Sequence, residues 1–137
     1  MVNPDFSLHP RLAADCHEVC QIGRVMVLLL DDARYPWLVL VPTYRDVVEW
    51  VDLPASAQNE LHQLTMLCSH KLRALFAPDK INIGALGNLV PQLHVHVLAR
   101  FKHDPAWPGP VWGHSKAVPY SAKALAQRLE SLKEALA

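Results

Sequence analysis

Between Gln92 and Arg100 the chain reads Gln-Leu-His-Val-His-Val-Leu-Ala-Arg, and its first six residues alternate polar and apolar. A period of two is that of a β-strand with one buried face and one polar face. The fold must therefore contain a sheet, with Leu93, Val95 and Val97 turned to its core. Gln92, His94 and His96 share the other, half-exposed face, with neighbours about 6.6 Å apart at a rise of about 3.3 Å per residue. At that spacing two imidazoles reach one phosphate or one metal ion. A merely solvated pair of histidines is the plainer alternative, and the preceding segment weighs against it. Asn82-Ile-Gly-Ala-Leu-Gly-Asn-Leu-Val-Pro91 reads as a strand entering a Gly/Asn turn, which brings amide and backbone N–H groups beside the imidazoles. Such a turn is an anion cradle.

The rest of the chain bounds what surrounds that strand. Its 137 residues suit a single domain spanning 1–137, large enough to bury about two thirds of its unfolded surface. Formal net charge is zero, so no general field favours nucleic acid or membranes, and any affinity for phosphate is local. Cys16, Cys20 and Cys68 form no CxxC pair, which points to a reducing, cytoplasmic setting rather than a disulfide framework. No basic-then-apolar leader is read, and the longest apolar run, Val25 to Leu30, falls far short of the ~20 residues that cross a bilayer.

In chain order, Asp5 or Ser7 is expected to cap a first helix carrying Leu8, Leu12, Cys16 and Val19, with Pro10 in its first turn and Gly23 at its end. Cys16 and Cys20 would share a face of that helix, a metal-binding spacing for which no second ligand pair follows. Arg24 to Leu30 and Trp37 to Val41 predict a hairpin across the Asp31–Pro36 turn. Asp32 there is either a sugar ligand or ordinary turn chemistry. Val47 to Val51 suggests a short edge strand. Asp52 and Pro54 open a long helix with Leu61, Leu64, Cys68, Leu72 and Leu75 as its buried stripe, ended by Pro78-Asp79. Lys80 to Leu86 forms the next strand. Beyond Phe101, three prolines and a glycine between His103 and Trp112 predict a stiff flap, whose Trp107 and Trp112 cover the sheet or stack on a base. Ser121 caps a last helix with Leu125, Leu129, Leu132 and Leu136 along one side.

Gln92-Leu-His94-Val-His96-Val-Leu resembles the signature of the histidine triad (HIT) family of nucleotide hydrolases and transferases, with Gln at the first triad position. The likeness extends over about the whole chain, since hairpin, long helix, Asn-containing strand and triad strand follow in the family's order. It implies an α+β, HIT-like fold with an antiparallel sheet of about five strands, one long helix and a C-terminal helix, usually in a homodimer with joined sheets. It further implies a purine nucleoside phosphate or related small molecule as ligand and no cofactor or metal. His94 would attack the α-phosphorus to give a nucleotidyl-histidine intermediate, with hydrolase, transferase or phosphoramidase outcomes. His96 would contact and neutralise phosphate oxygens, Asn82, Gly87 and Asn88 would hold the phosphates, and Asp32 or Asp31 would meet the ribose. Gln92 would donate a hydrogen bond but carry no proton, so an acid role for the first triad position is lost. A Leu-Val-Pro run stands where the family has small polar residues.

Two other readings of the same residues stay open. His94 and His96 can bind one zinc ion with His103, His70 or Asp104 as third ligand, which would make a zinc-dependent hydrolase. A non-catalytic nucleotide-binding protein of the same fold is the second, and Gln92 is what favours it.

Overall fold

The computed structural model describes residues 5–137. Five strands form one antiparallel sheet in the order β1-β2-β3-β5-β4, with β1 at Cys16–Ile22, β2 at Val25–Leu30, β3 at Trp37–Pro42, β4 at Lys80–Gly84 and β5 at Val95–Arg100. The helices are α1, Pro10–Asp15, α2, Ala55–Phe76, and α3, Ala122–Leu136. The α+β architecture expected from the sequence is therefore present.

Alternation along each strand divides the interior into two layers. Val25, Val27 and Leu29 on β2, Leu38 and Leu40 on β3, and Val95 and Val97 on β5 face α2 and α3, meeting Leu61, Leu64, Cys68, Leu72 and Leu132. Leu28, Trp37, Val39, Val41 and Leu98 face the other way, against Leu12 of α1 and Ala106 and Val111 of the loop after β5. A sheet covered on both sides has no half-exposed face, so β5 is buried throughout, its polar residues included. The last helix packs its leucines on this chain, against β1 and α2.

The start of the chain departs from expectation. His9 caps α1, its Nδ1 accepting from Arg11 N, and the helix stops at Asp15. Residues 16–22 instead pair with 25–30 across a two-residue turn, where Gly23 takes φ 56. Glycine at the first turn position closes such a hairpin without a Cβ penalty, and the pairing overrides the helical spacing of Leu12, Cys16 and Val19. A bulge between Glu18 and Cys20 then turns Cys20 toward the α2 layer, while Cys16 packs in the other. The two thiols share no face.

Residues 47–51 form no strand. Trp50–Asp52 is a single 3₁₀ turn held by reciprocal caps between Glu49 and Asp52, and Pro54 precedes α2. Leu75 is exposed rather than part of the α2 stripe, and Ala77 ends the helix in a left-handed conformation before Pro78. β4 is shorter than expected, leaving Ala85 and Leu86 to the loop.

Candidate active site

Both triad histidines lie at the start of β5, an interior strand between β3 and β4. His94 is the residue before its first pair and His96 its second residue, opposite Val39 and Gly84. They keep only 7% and 8% of their exposure, so the expected solvent-facing pair is instead a buried pair. Their ring centroids are 5.0 Å apart with planes at 70°. His94 lines a cavity of about 850 Å³, within the roughly 300–1,000 Å³ typical of small-ligand sites.

Each ring has one nitrogen committed. His94 Nδ1 lies 2.7 Å from the Gln92 carbonyl. A carbonyl only accepts, so Nδ1 carries a proton, and in the neutral ring Nε2 keeps its lone pair. His96 has the opposite arrangement: Trp37 Nε1 donates to its Nδ1 at 2.9 Å. Indole only donates, so the His96 proton sits on Nε2. Burial first, and the neighbouring His94 second, push the His96 pKa down to about 3. His96 is therefore a neutral hydrogen-bond donor at physiological pH. Trp112 closes the cluster, its ring 5.6 Å from His96 and 6.4 Å from Trp37.

The structure divides the other sequence-selected residues. Asp32, Gly87 and Asn88 line the cavity with His94. Gln92 does not. Its amide donates to Ser7 O at 2.9 Å and accepts from His9 N at 2.8 Å, and it borders a separate, smaller cavity with Arg45 and Asp46. Only its backbone carbonyl serves His94. Asn82 is likewise elsewhere, accepting from Arg100 Nη1 at 2.9 Å. Asp32 lines the cavity but both its oxygens are occupied, Oδ1 by Arg34 N and Nε and Oδ2 by Arg34 Nη2 at 2.9 Å. Arg34 continues to Ser115 Oγ and Lys116 O, which ties the 113–117 loop to the β2–β3 turn. Asp31 accepts from Tyr120 N.

Leu86, Leu89 and Val90 form an apolar side of the cavity, with Leu89 strongly exposed, where the family resemblance implied small polar groups. Trp112 lines the cavity, whereas Trp107 packs near Arg100, 5.7 Å from its guanidinium. The flap owes its stiffness to Asp104 as well as to proline. The carboxylate accepts from Arg100 Nε at 2.7 Å, Phe101 N at 3.0 Å and Trp107 N at 2.8 Å. Sequence reasoning missed Trp37 and Arg34. An aromatic opening an otherwise aliphatic strand, and an Asp-x-Arg turn, were the available signals.

Among the described residues no three or more His, Cys, Asp or Glu side chains are placed to hold a metal ion. The third ligands considered from sequence are engaged or remote: Asp104 is paired with Arg100, His103 stacks on Phe101 and His70 is exposed on α2.

With this geometry in place, comparison with known proteins defines the class. The HIT domain family model matches residues 11–103, and the chain belongs to the histidine triad family. A histidine triad protein from Bradyrhizobium japonicum is 41% identical over 98% of this chain and 100% of its own, with a TM-score of 0.95. One from Marinobacter aquaeolei is 43% identical, covering 96% of each chain, at 0.93. One from Sinorhizobium meliloti is 42% identical over 95% of this chain and 96% of its own, at 0.92. No curated protein matches the chain. No helix among the described residues is long and apolar enough to cross a membrane.

Proposed function

We propose that the protein is a nucleotide hydrolase or nucleotidyl transferase acting at the α-phosphorus of a purine nucleoside phosphate, with His94 as nucleophile. The observation that carries this is His94 Nδ1 against the Gln92 carbonyl at the cavity wall. The contact selects the tautomer of the neutral ring whose lone pair is on Nε2, which is the form an imidazole needs to attack phosphorus. Phosphoryl transfer asks mainly for position and charge stabilisation. The cavity lining supplies Gly87 and Asn88 with Arg11, Arg34 and Lys116, and the His96 Nε2–H is a further neutral donor beside His94. Asp31 and the Arg34-bound Asp32 stand at the cavity wall where the family resemblance puts the sugar. The wider reading is of a cytoplasmic homodimer whose sheets join at the outer edge of β4, a sheet-edge strand.

Rapid mixing of excess protein with a radiolabelled adenosine or guanosine phosphate ester tests this. The expected result is a labelled covalent species, stable to alkali, labile to acid and mapped to His94. Nucleotide binding by calorimetry with no labelled species would make the protein a binding protein of this fold. Turnover lost on chelation and restored by zinc would replace the scheme with a metal-dependent one.

A further inference from the structure

Attack by His94 raises a question that the site's hydrogen bonds answer: what can leave. As Nε2 bonds to phosphorus, the bond to the leaving atom breaks and its electron pair departs with that group. An alkoxide or an amine anion is too basic to go unaided and takes a proton in the transition state. A phosphate, a carboxylate or a phenolate needs none.

The imidazoles and Gln92 are all poor sources of that proton. The Nδ1–H of His94 is turned into the Gln92 carbonyl. His96 could act as an acid only by holding a second proton on Nδ1, and the Trp37 N–H occupies that position. Its single Nε2–H donates a hydrogen bond without being released, because a neutral imidazole is a very weak acid. The rings packed on His96 are Trp37 of β3, Trp112 of the flap and His94. Gln92, at the remaining triad position, is held away by Ser7 and His9, and an amide N–H is not acidic enough to be released.

We propose that this site is restricted to nucleoside phosphates whose leaving group departs as a stable anion, such as an anhydride-linked phosphate, an acyl carboxylate or a phenolate. Trp37 is the positioning residue that keeps His96 from serving as an acid. The inference rests on His94 attack as proposed above. In the first step the Nε2–P bond forms, the P–O bond breaks and the anion takes the electron pair. The histidine keeps its Nδ1 proton and becomes a phosphorylated imidazolium held by the Gln92 carbonyl. Water then attacks phosphorus, the P–N pair returns to Nε2, one water proton passes to solvent and the nucleoside monophosphate is released. Burial of His96 acts in the same direction as Trp37, since it disfavours the imidazolium.

Single-turnover rates with the 4-nitrophenyl ester, the methyl ester and the unsubstituted phosphoramidate of adenosine 5′-phosphate test the restriction. Positioned acid catalysis contributes roughly 100- to 10,000-fold, so the methyl ester and phosphoramidate should lag by at least that factor. Either of them within about tenfold of the nitrophenyl ester would overturn the restriction while leaving the nucleophile intact. Absence of an intermediate with all three, the nitrophenyl ester included, would instead remove the hydrolase reading. Ring ¹⁵N spectra of the intact protein near neutral pH supply a readout without substrate. A single His96 tautomer protonated on Nε2 is expected, and an imidazolium or an Nδ1–H form would overturn the role given to Trp37. Trp37→Phe should mix the tautomers and narrow the gap between the nitrophenyl and methyl esters. A gap unchanged beside mixed tautomers would also count against it.

Discussion

Two buried polar clusters hang from the same face of β5, and they differ in how completely their hydrogen bonds are used. At the far end, Arg100 is 2% exposed and its guanidinium reaches Asp104 through Nε and Nη2, Asn82 through Nη1 and the Gly109 carbonyl through Nη2. At the near end, His94 and His96 each have one nitrogen fixed by a protein partner. The second nitrogen is left over. Engaging four of the five N–H donors of a buried charge produces architecture, because little remains to meet a ligand. Fixing one nitrogen and sparing the other produces a reagent with a defined direction. Burial alone does not separate the two cases; the hydrogen-bond inventory does.

The comparison can be broken most severely at the reagent. His94→Ala should lower intermediate formation by about 10⁴-fold or more, the scale of losing a nucleophile, while the melting temperature stays close to that of the parent. A variant that keeps full activity would place the chemistry elsewhere. Arg100→Met should do the reverse, because Asp104 is then left buried and unpaired, at a cost of about 3–5 kcal/mol in urea titration. Adding Asp104→Leu should recover much of that loss. If the single variant is as stable as the parent, the ion pair is not what holds the flap.

Acid should separate the clusters next. The unfolded chain protonates His96 near its ordinary 6.5, whereas the folded chain resists down to about 3, so its stability contribution falls as pH drops across that interval. For Asp104, burial raises the pKa, but the Arg100 bond and the Phe101 and Trp107 amides outweigh it and hold the group at about 2, against the usual 3.8. The folded carboxylate is favoured above 3.8, and that stability is lost between 3.8 and about 2. Urea midpoints measured from pH 7 to 2 should decline first through the histidine interval and again in the aspartate one. A flat profile above pH 4 would contradict the buried neutral imidazole. The smallest effect belongs to Gln92→Ala, which removes two hydrogen bonds to the Ser7–His9 segment, each worth about 1 kcal/mol, but keeps the carbonyl that holds His94. Stability should drop modestly and intermediate formation by no more than a few-fold. Complete inactivity would show that the amide acts in the chemistry.

Much of this was legible in residue order, and the failures have physical causes. Period-two alternation at 92–97 correctly separated Leu93, Val95 and Val97 from the two histidines, because strand geometry leaves no choice of side. It wrongly extended the pattern to Gln92, which precedes the strand and answers to the N-terminal segment instead. The helix expected through Val19 failed because Leu12, Cys16 and Val19 fit a helical spacing, while pairing with β2 is a cross-strand preference that spacing within one segment does not register. The flap's prolines were visible, but Asp104 as its anchor was not, since its partner Arg100 reads as the polar end of a strand. Asp32 was found and its partner was missed. Arg34 sits two residues on, a distance at which turn residues are commonly taken as solvated.

That pair changes what occupancy of the cavity entails. A hydroxylated guest that reaches the Asp32 carboxylate meets oxygens that already accept from Arg34, and Arg34 also fastens Ser115 and the Lys116 carbonyl. The Asp32 wall and the 113–117 strap are thus tied through one side chain. Because Asp32 is almost fully buried, salt should loosen this pair much less than it weakens attraction for the phosphate.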